Sequence, residues 1–337
     1  MFSHRPSKLP ALRVADWGFN VTICIAAMAE GGKKFALVTD GKVAFGQFSA
    51  DGALTKAFPI VRRNVVLMAG NDVARAGTVF NKAKARLTSC DADAIAETLF
   101  EECNAERDRI IEASVLRRRG FNWKMFRENG KSLCTDAVYY EIEAEIAEAK
   151  LSLDFMIAGF DDNNKPHIRY TNWHTPPENY DSLGFYAIGS GAPAAISSLA
   201  HAVEYMRFDR QRSAPEVVYH VLAAKFMSES AQDVGKKHTF LTVCGLGDKD
   251  IVFFPVFTGV GFVRERWEKE GAPRVPKGVT EAIGELLVEP KDMAGLEALR
   301  RSAKYSPQAK KILRHFEKEY EAYKAKQLAS QKSEPEQ

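Results

Sequence analysis

Short runs of β-branched and small apolar residues occur in blocks along this chain, and each block gives way to a pair of segments with helical period. That alternation restricts the fold more than any other feature. Residues 21–29 (VTICIAAMA) and 35–39 (FALVT) flank the turn sequence Glu30-Gly31-Gly32-Lys33-Lys34 and predict a β-hairpin. A second strand pair is expected where 46–49 leads through Asp51-Gly52 to Leu54, and 64–69 (NVVLMA) reads as a buried strand closing at Gly70. Val73, Ala76, Val79, Phe80, Ala83 and Leu87 then recur three or four apart, so a helix is expected; Asp91 or Asp93 caps a second through Ile95, Leu99 and Cys103. Strands are expected again over 137–146, 154–160, 167–171 and 185–188, helices over 193–205 and 215–227, and a last hairpin from 239–246 and 251–255.

Strand blocks alternating with helix pairs imply an α+β chain with two sheets face to face and helices outside, a four-layer αββα sandwich. The expected organisation is an N-terminal extension or propeptide over 1–21 and a core domain over 22–260 interrupted by a helical insert at 105–150. A charged helical C-terminal extension over 261–327 and a disordered tail over 328–337 follow. No internal repeat is found.

Composition excludes several classes. With 45% hydrophobic residues, 337 residues supply a substantial core, and 47 Lys+Arg against 44 Asp+Glu leave a net charge of only +3. That balance gives no electrostatic footprint for a nucleic-acid partner. The basic, aromatic stretch 116–132 reads as a solvated helix end around Arg117–Arg119. No run of about 18 apolar residues offers a membrane span, and the N-terminus lacks the apolar run of a secretion signal. Cys24, Cys90, Cys103, Cys134 and Cys244 are odd in number and widely spaced, which suits reduced thiols in a cytoplasmic protein. His167, His174, His201, His220 and His238 form neither HxH nor HExxH, so neither metal nor cofactor is expected; His238 reads as structural. Gly189-Ser190-Gly191 lacks the further glycines and lysine of a phosphate loop.

Five pieces fall at the ends of the expected strands: Thr22, Asp40 in TDGKVAFG, Lys56, Gly70 and Ser190 in FYAIGSGAPAAISSL. Together they resemble the proteasome β-subunit and HslV family of N-terminal nucleophile hydrolases. Sixteen residues separate Asp40 from Lys56 and fourteen separate Lys56 from Gly70, the same two steps as in that family. The resemblance spans 21–87 and 154–255. Eighteen residues separate Thr22 from Asp40, two more than in the family; the EGGKK turn can house them, and an even insertion preserves which face each side chain takes. Counting without the insertion puts Cys24 in the nucleophile's place instead. The family's late Asp corresponds to Asp233 in SESAQDVGKKHTF, displaced by about two positions and without the accompanying serine.

The resemblance implies a threonine-type peptidase or amidohydrolase acting on a peptide or other amide substrate. Thr22 would attack, its α-amine (pKa about 8) taking the hydroxyl proton. Lys56, held by Asp40, would supply positive potential; the Gly70 amide would bind the oxyanion, worth about 3 kcal/mol; Ser190, with Asp233, would orient the amine. It also implies a homo-oligomer. Val21 stands where self-cleaving members carry glycine, and its β-branch crowds the bond to be cut. If 1–21 stays attached, the expectation becomes an inactive, scaffolding subunit of the same fold.

Overall fold

The computed structural model of the chain describes residues 22–45, 48–51, 56–70, 72–206, 209–231, 234–247, 251–256, 260–270 and 280. The expected extension 1–21, the tail 328–337 and all of 281–327 lie outside them. No helix among the described residues is long and apolar enough to cross a membrane.

The first strand, β1 (Cys24–Ala29), is buried along its whole length, as a strand covered on both faces must be. Glu30, Gly31 and Gly32 follow, all with positive φ, a conformation that glycine adopts without the clash a Cβ causes. β2 (Lys34–Asp40) returns antiparallel, Cys24 opposite Thr39 and Ala29 opposite Lys34. β3 (Lys42–Phe45) and β4 (Phe48–Asp51) make a separate ribbon, and β5 (Ala57–Val61) pairs with β6 (Asn64–Gly70). Asp72 caps α1 (Val73–Arg86), accepting from the Arg75 amide at 3.0 Å. Of the two aspartates available, Asp91 caps α2 (Ala92–Ile111), accepting from the Asp93 amide at 2.9 Å.

After α3 (Trp123–Leu133) and α4 (Asp136–Glu148) come β7 (Leu153–Phe160), β8 (Pro166–Asn172), the short β9 (Glu178–Asn179) and β10 (Phe185–Ile188). α5 (Ala192–Met206) precedes α6 (Ala214–Ser228), which opens with a Ser213–Glu216 capping box and Pro215 in its first turn. β11 (Thr239–Leu246), β12 (Ile251–Val256) and α7 (Val260–Glu270) complete the described chain. One antiparallel sheet runs β10-β1-β2-β11-β12 and a second β5-β6-β7-β8-β9.

Alternation along the strands assigns their faces. Ile25 and Ala27 of β1 and Ala36 and Val38 of β2 pack with Leu199 of α5 and Val218, Val221 and Leu222 of α6. Their opposite faces, Cys24, Ala26, Met28, Phe35 and Leu37, meet Val65, Leu67 and Ala69 of β6 and Met156, Ala158 and Phe160 of β7. The Phe35 and Phe160 rings stand edge to face across this seam, 5.1 Å between centroids. On the far side, Val66, Phe155 and Ile157 pack on Val79, Phe80 and Ala83 of α1 and Ile95 and Leu99 of α2. Among the described residues the chain is thus α+β, with an apolar seam between the two five-stranded sheets and a helix pair on the outer face of each. α6 is buried nearly all round because α5, α7 and β2 contact it together.

Two expectations change. Residues 137–146 belong to helix α4, not to a strand. Val138, Tyr140 and Ile142 mimic strand alternation, but Tyr139, Ile142 and Ile146 form the face that packs on Ile111, Val115, Leu116 and Phe126. Arg119 then binds Glu141 at 3.1 Å and Glu145 at 2.6 Å, one turn apart on that helix. In the β3–β4 ribbon Phe45 pairs with Phe48 and Lys42 with Asp51, so Asp51 lies in a strand; Gly52 and Leu54 of the expected turn lie outside the described residues.

Gly159 in β7 is held against the neighbouring strand. A Cβ there would stand 2.3 Å from the Arg63 carbonyl oxygen and 2.3 Å from Asn64 Oδ1, and backbone cannot yield cheaply. Gly159→Ala is expected to lower the unfolding free energy by about 1–3 kcal/mol. Urea denaturation measures it, and an unchanged midpoint would contradict so close an approach.

Candidate active site

The site forms where the open end of the first sheet meets the second, and a buried carboxylate organises it. Asp40, the last residue of β2, has no exposed surface. Its Oδ1 accepts from Thr22 Oγ1 at 2.7 Å, Lys56 Nζ at 2.7 Å and the Ile23 amide at 3.2 Å. Its Oδ2 accepts from the Gly235 amide at 2.8 Å. Four donors, one of them cationic, compensate a charge that would otherwise be costly to bury.

Each partner arrives from a different segment. Thr22 precedes β1, whose pairing with β2 brings the two chain ends side by side. Lys56 precedes β5 in the other sheet; its carbonyl accepts from the Met68 amide at 2.9 Å, fixing its backbone against β6. Gly235 belongs to the connection between α6 and β11. Thr22 is also gripped through its main chain. Its carbonyl accepts from the Gly191 amide at 3.3 Å and Ser190 Oγ at 3.3 Å, and its own N–H reaches Ser190 Oγ at 3.4 Å.

The two glycines around Ser190 are steric necessities. Gly189 has φ +97° and a Cβ there would lie 2.5 Å from the Thr22 carbonyl oxygen; at Gly191 it would lie 2.7 Å from Val234 Cγ2. Gly70 ends β6, where a Cβ would meet the Ser152 carbonyl oxygen at 2.5 Å. Two residues before it, the Met68 carbonyl accepts from Cys24 Sγ at 3.5 Å, which locates this end of β6 beneath β1. Asp233 lies outside the described residues.

Thr22 and Lys56 therefore both bond to Asp40, Ser190 bonds to the Thr22 main chain, and Thr22 rather than Cys24 carries the bond to Asp40. Cys24 faces the inter-sheet core, and burial pushes its thiol far above the ordinary range against the opposing pull of Lys56. A thiol so placed is not poised as a thiolate. Chemically, the arrangement holds a hydroxyl and an ammonium on one carboxylate oxygen, with a second hydroxyl at the first residue's main chain.

Some contributors escape a reading of the sequence. Gly235 lies in the segment SESAQDVGKKHTF, whose match to a motif is poor, and its role is carried by a backbone amide that has no residue signature. Asp154 is another. It sits opposite Ala69 in the β6–β7 register and accepts from Tyr170 Oη at 2.9 Å and Asn172 Nδ2 at 3.1 Å, and burial raises its carboxyl. His238 enters through its main chain, its carbonyl accepting from the Gly41 amide at 3.1 Å. Among the described residues no group of three or more His, Cys, Asp or Glu is placed to hold a metal ion.

Comparison of the chain with protein-family models and with curated proteins returns no match.

The cysteines offer a direct check on the geometry. Cys90 and Cys134 are partly exposed, whereas Cys24, Cys103 and Cys244 are buried with their thiols pushed up. Iodoacetamide treatment of the native protein at pH 7.5, read by peptide mass spectrometry, is expected to label Cys90 and Cys134 and spare Cys24. Preferential labelling of Cys24 would contradict its burial between the two sheets.

Proposed function

We propose that this chain is a hydrolase of the N-terminal nucleophile type, similar to proteasome β-subunits and HslV, which cleaves an amide bond through a Thr22 acyl-enzyme. The observation that carries the proposal is the joint contact of Thr22 Oγ1 and Lys56 Nζ with Asp40 Oδ1. Two sheets with a helix pair on each outer face, and sequence steps equal to the family's, support the αββα sandwich of that class.

The chemistry begins with hydrolysis of the Val21–Thr22 bond, in which the hydroxyl of water joins the Val21 carbonyl carbon and its proton goes to the Thr22 nitrogen, freeing the α-amine. That amine takes the hydroxyl proton while Oγ1 attacks the substrate carbonyl, so a C–O bond forms and the carbonyl π pair moves to oxygen. Lys56 lowers the cost of the negative charge on Oγ1, and the Gly70 amide receives the oxyanion. Collapse breaks the C–N bond, and the proton held by the amine passes to the leaving nitrogen. Water then attacks the ester by the same route, releasing the acid and restoring Thr22. Ser190, already against the Thr22 nitrogen at 3.4 Å, orients the new amine. The substrate is a peptide or other amide, the assembly a homo-oligomer, and the setting cytoplasmic, where five free thiols persist.

The alternative is a subunit of the same fold that keeps residues 1–21 and serves as scaffold. Val21, β-branched where a self-cleaving chain carries glycine, favours it.

Intact-mass analysis with a β-lactone probe separates the two. The hydrolase reading expects a mature N-terminus at Thr22 and one adduct on Thr22; Thr22→Ala is expected to lose the adduct and reduce amide hydrolysis about a thousandfold or more. Intact Met1 without an adduct would overturn the hydrolase and leave the scaffold.

A further inference from the structure

Lys225, in the last turns of α6, is a fully buried ammonium that the hydrolytic steps above do not use. It interrupts the apolar run Val221–Phe226, where an aliphatic residue would cost less to bury. Its Nζ binds the Glu229 carboxylate one turn on and donates to the Gly235 carbonyl at 2.8 Å. Gly235 is the residue whose amide donates to Asp40 Oδ2 at 2.8 Å. Both polar groups of Gly235 are thereby occupied, one by the site and the other by Lys225.

The chain of contacts continues outward. Glu229 accepts from Arg264 Nη1 of α7 at 2.7 Å. The Arg264 guanidinium lies 4.3 Å from the Phe226 ring centroid, and Phe226 packs on Trp267 at 5.5 Å. Arg264 also reaches the Lys236 carbonyl at 3.4 Å, beside Gly235. The same end of α6 braces the other arm of the site: a Cβ on Gly191 would stand 3.0 Å from Ser228 Cβ. Buried ion pairs add little net stability over apolar residues of equal volume, so their use points to geometric specification.

We propose that Lys225 is a positioning residue for Asp40, acting through Gly235, and that Arg264 on α7 holds Lys225 in place through Glu229. The start of the C-terminal extension is then a working part of the site. The effect on catalysis rests on the hydrolase reading; the effect on Gly235 does not.

Two measurements on the full chain test it. Hydrogen exchange of the Gly235 amide, followed by NMR, reports its bond to Asp40; the rate of Thr22 acylation by a β-lactone reports the site. Lys225→Met, which keeps the side-chain volume and removes the donor, is expected to speed Gly235 exchange about tenfold or more while β7 amides stay protected. It is also expected to slow acylation at saturating probe by about tenfold or more without raising the half-saturating concentration. Arg264→Ala is expected to move both in the same direction, and Arg264→Lys to restore part of each. Should Lys225→Met fail to fold, the Arg264 pair decides alone. Unchanged Gly235 exchange in folded variants overturns the proposal. A wild-type chain that is never acylated overturns the hydrolase reading, and Gly235 exchange still decides the positioning.

Discussion

A carboxylate removed from water must be met by donors, and the way Asp40 is met organises this molecule. One oxygen draws in a hydroxyl from the residue before β1, an ammonium from the other sheet and a main-chain amide; the second oxygen takes an amide from beyond α6. Removing any one of these donors would leave part of a buried charge uncompensated. The requirement ties together segments that lie 18, 16 and 195 residues from Asp40 in sequence. The apolar seam between the sheets supplies most of the cohesion, but it is non-directional and tolerates many arrangements. The carboxylate admits few.

Much of this fold is legible in the residues alone, for identifiable reasons. Continuous apolar runs in β1, β2, β6 and β7 and three- and four-residue spacing in α1 and α2 report burial directly, and burial dominates those elements. The steps from Asp40 to Lys56 and Gly70 are visible because they are carried by side chains, or by a glycine demanded by a close contact. What stays hidden is carried by tertiary context. α4 shows strand-like alternation, and only its packing on Phe126 and its two glutamates against Arg119 make it a helix. Asp51 looks like a turn residue beside Gly52 and is instead paired with Lys42 in the β3–β4 ribbon. Gly235 acts through its backbone, and Lys225 declares itself only as a charge inside an apolar run.

The structure also separates cohesion from precision. β1, buried over both faces and paired on both edges, is a rigid platform, and Thr22 stands at its approach with its main chain clamped by Gly189, Ser190 and Gly191. α6 underlies both arms of the site, touching Gly191 through Ser228 and Gly235 through Lys225. The helical insert, with its own small core around Ile111, Phe126 and Ile142, contributes none of the groups that meet at Asp40.

A double-mutant cycle on Asp40 and Lys56 addresses the central claim most directly. Unfolding free energies of the wild type, Asp40→Asn, Lys56→Met and the double variant yield the coupling between the two charges. A coupling of about 2 kcal/mol or more, little changed by salt, is expected for a pair this buried. A coupling within about 0.5 kcal/mol of zero would contradict the account, since the two sheets would then not be joined through that carboxylate.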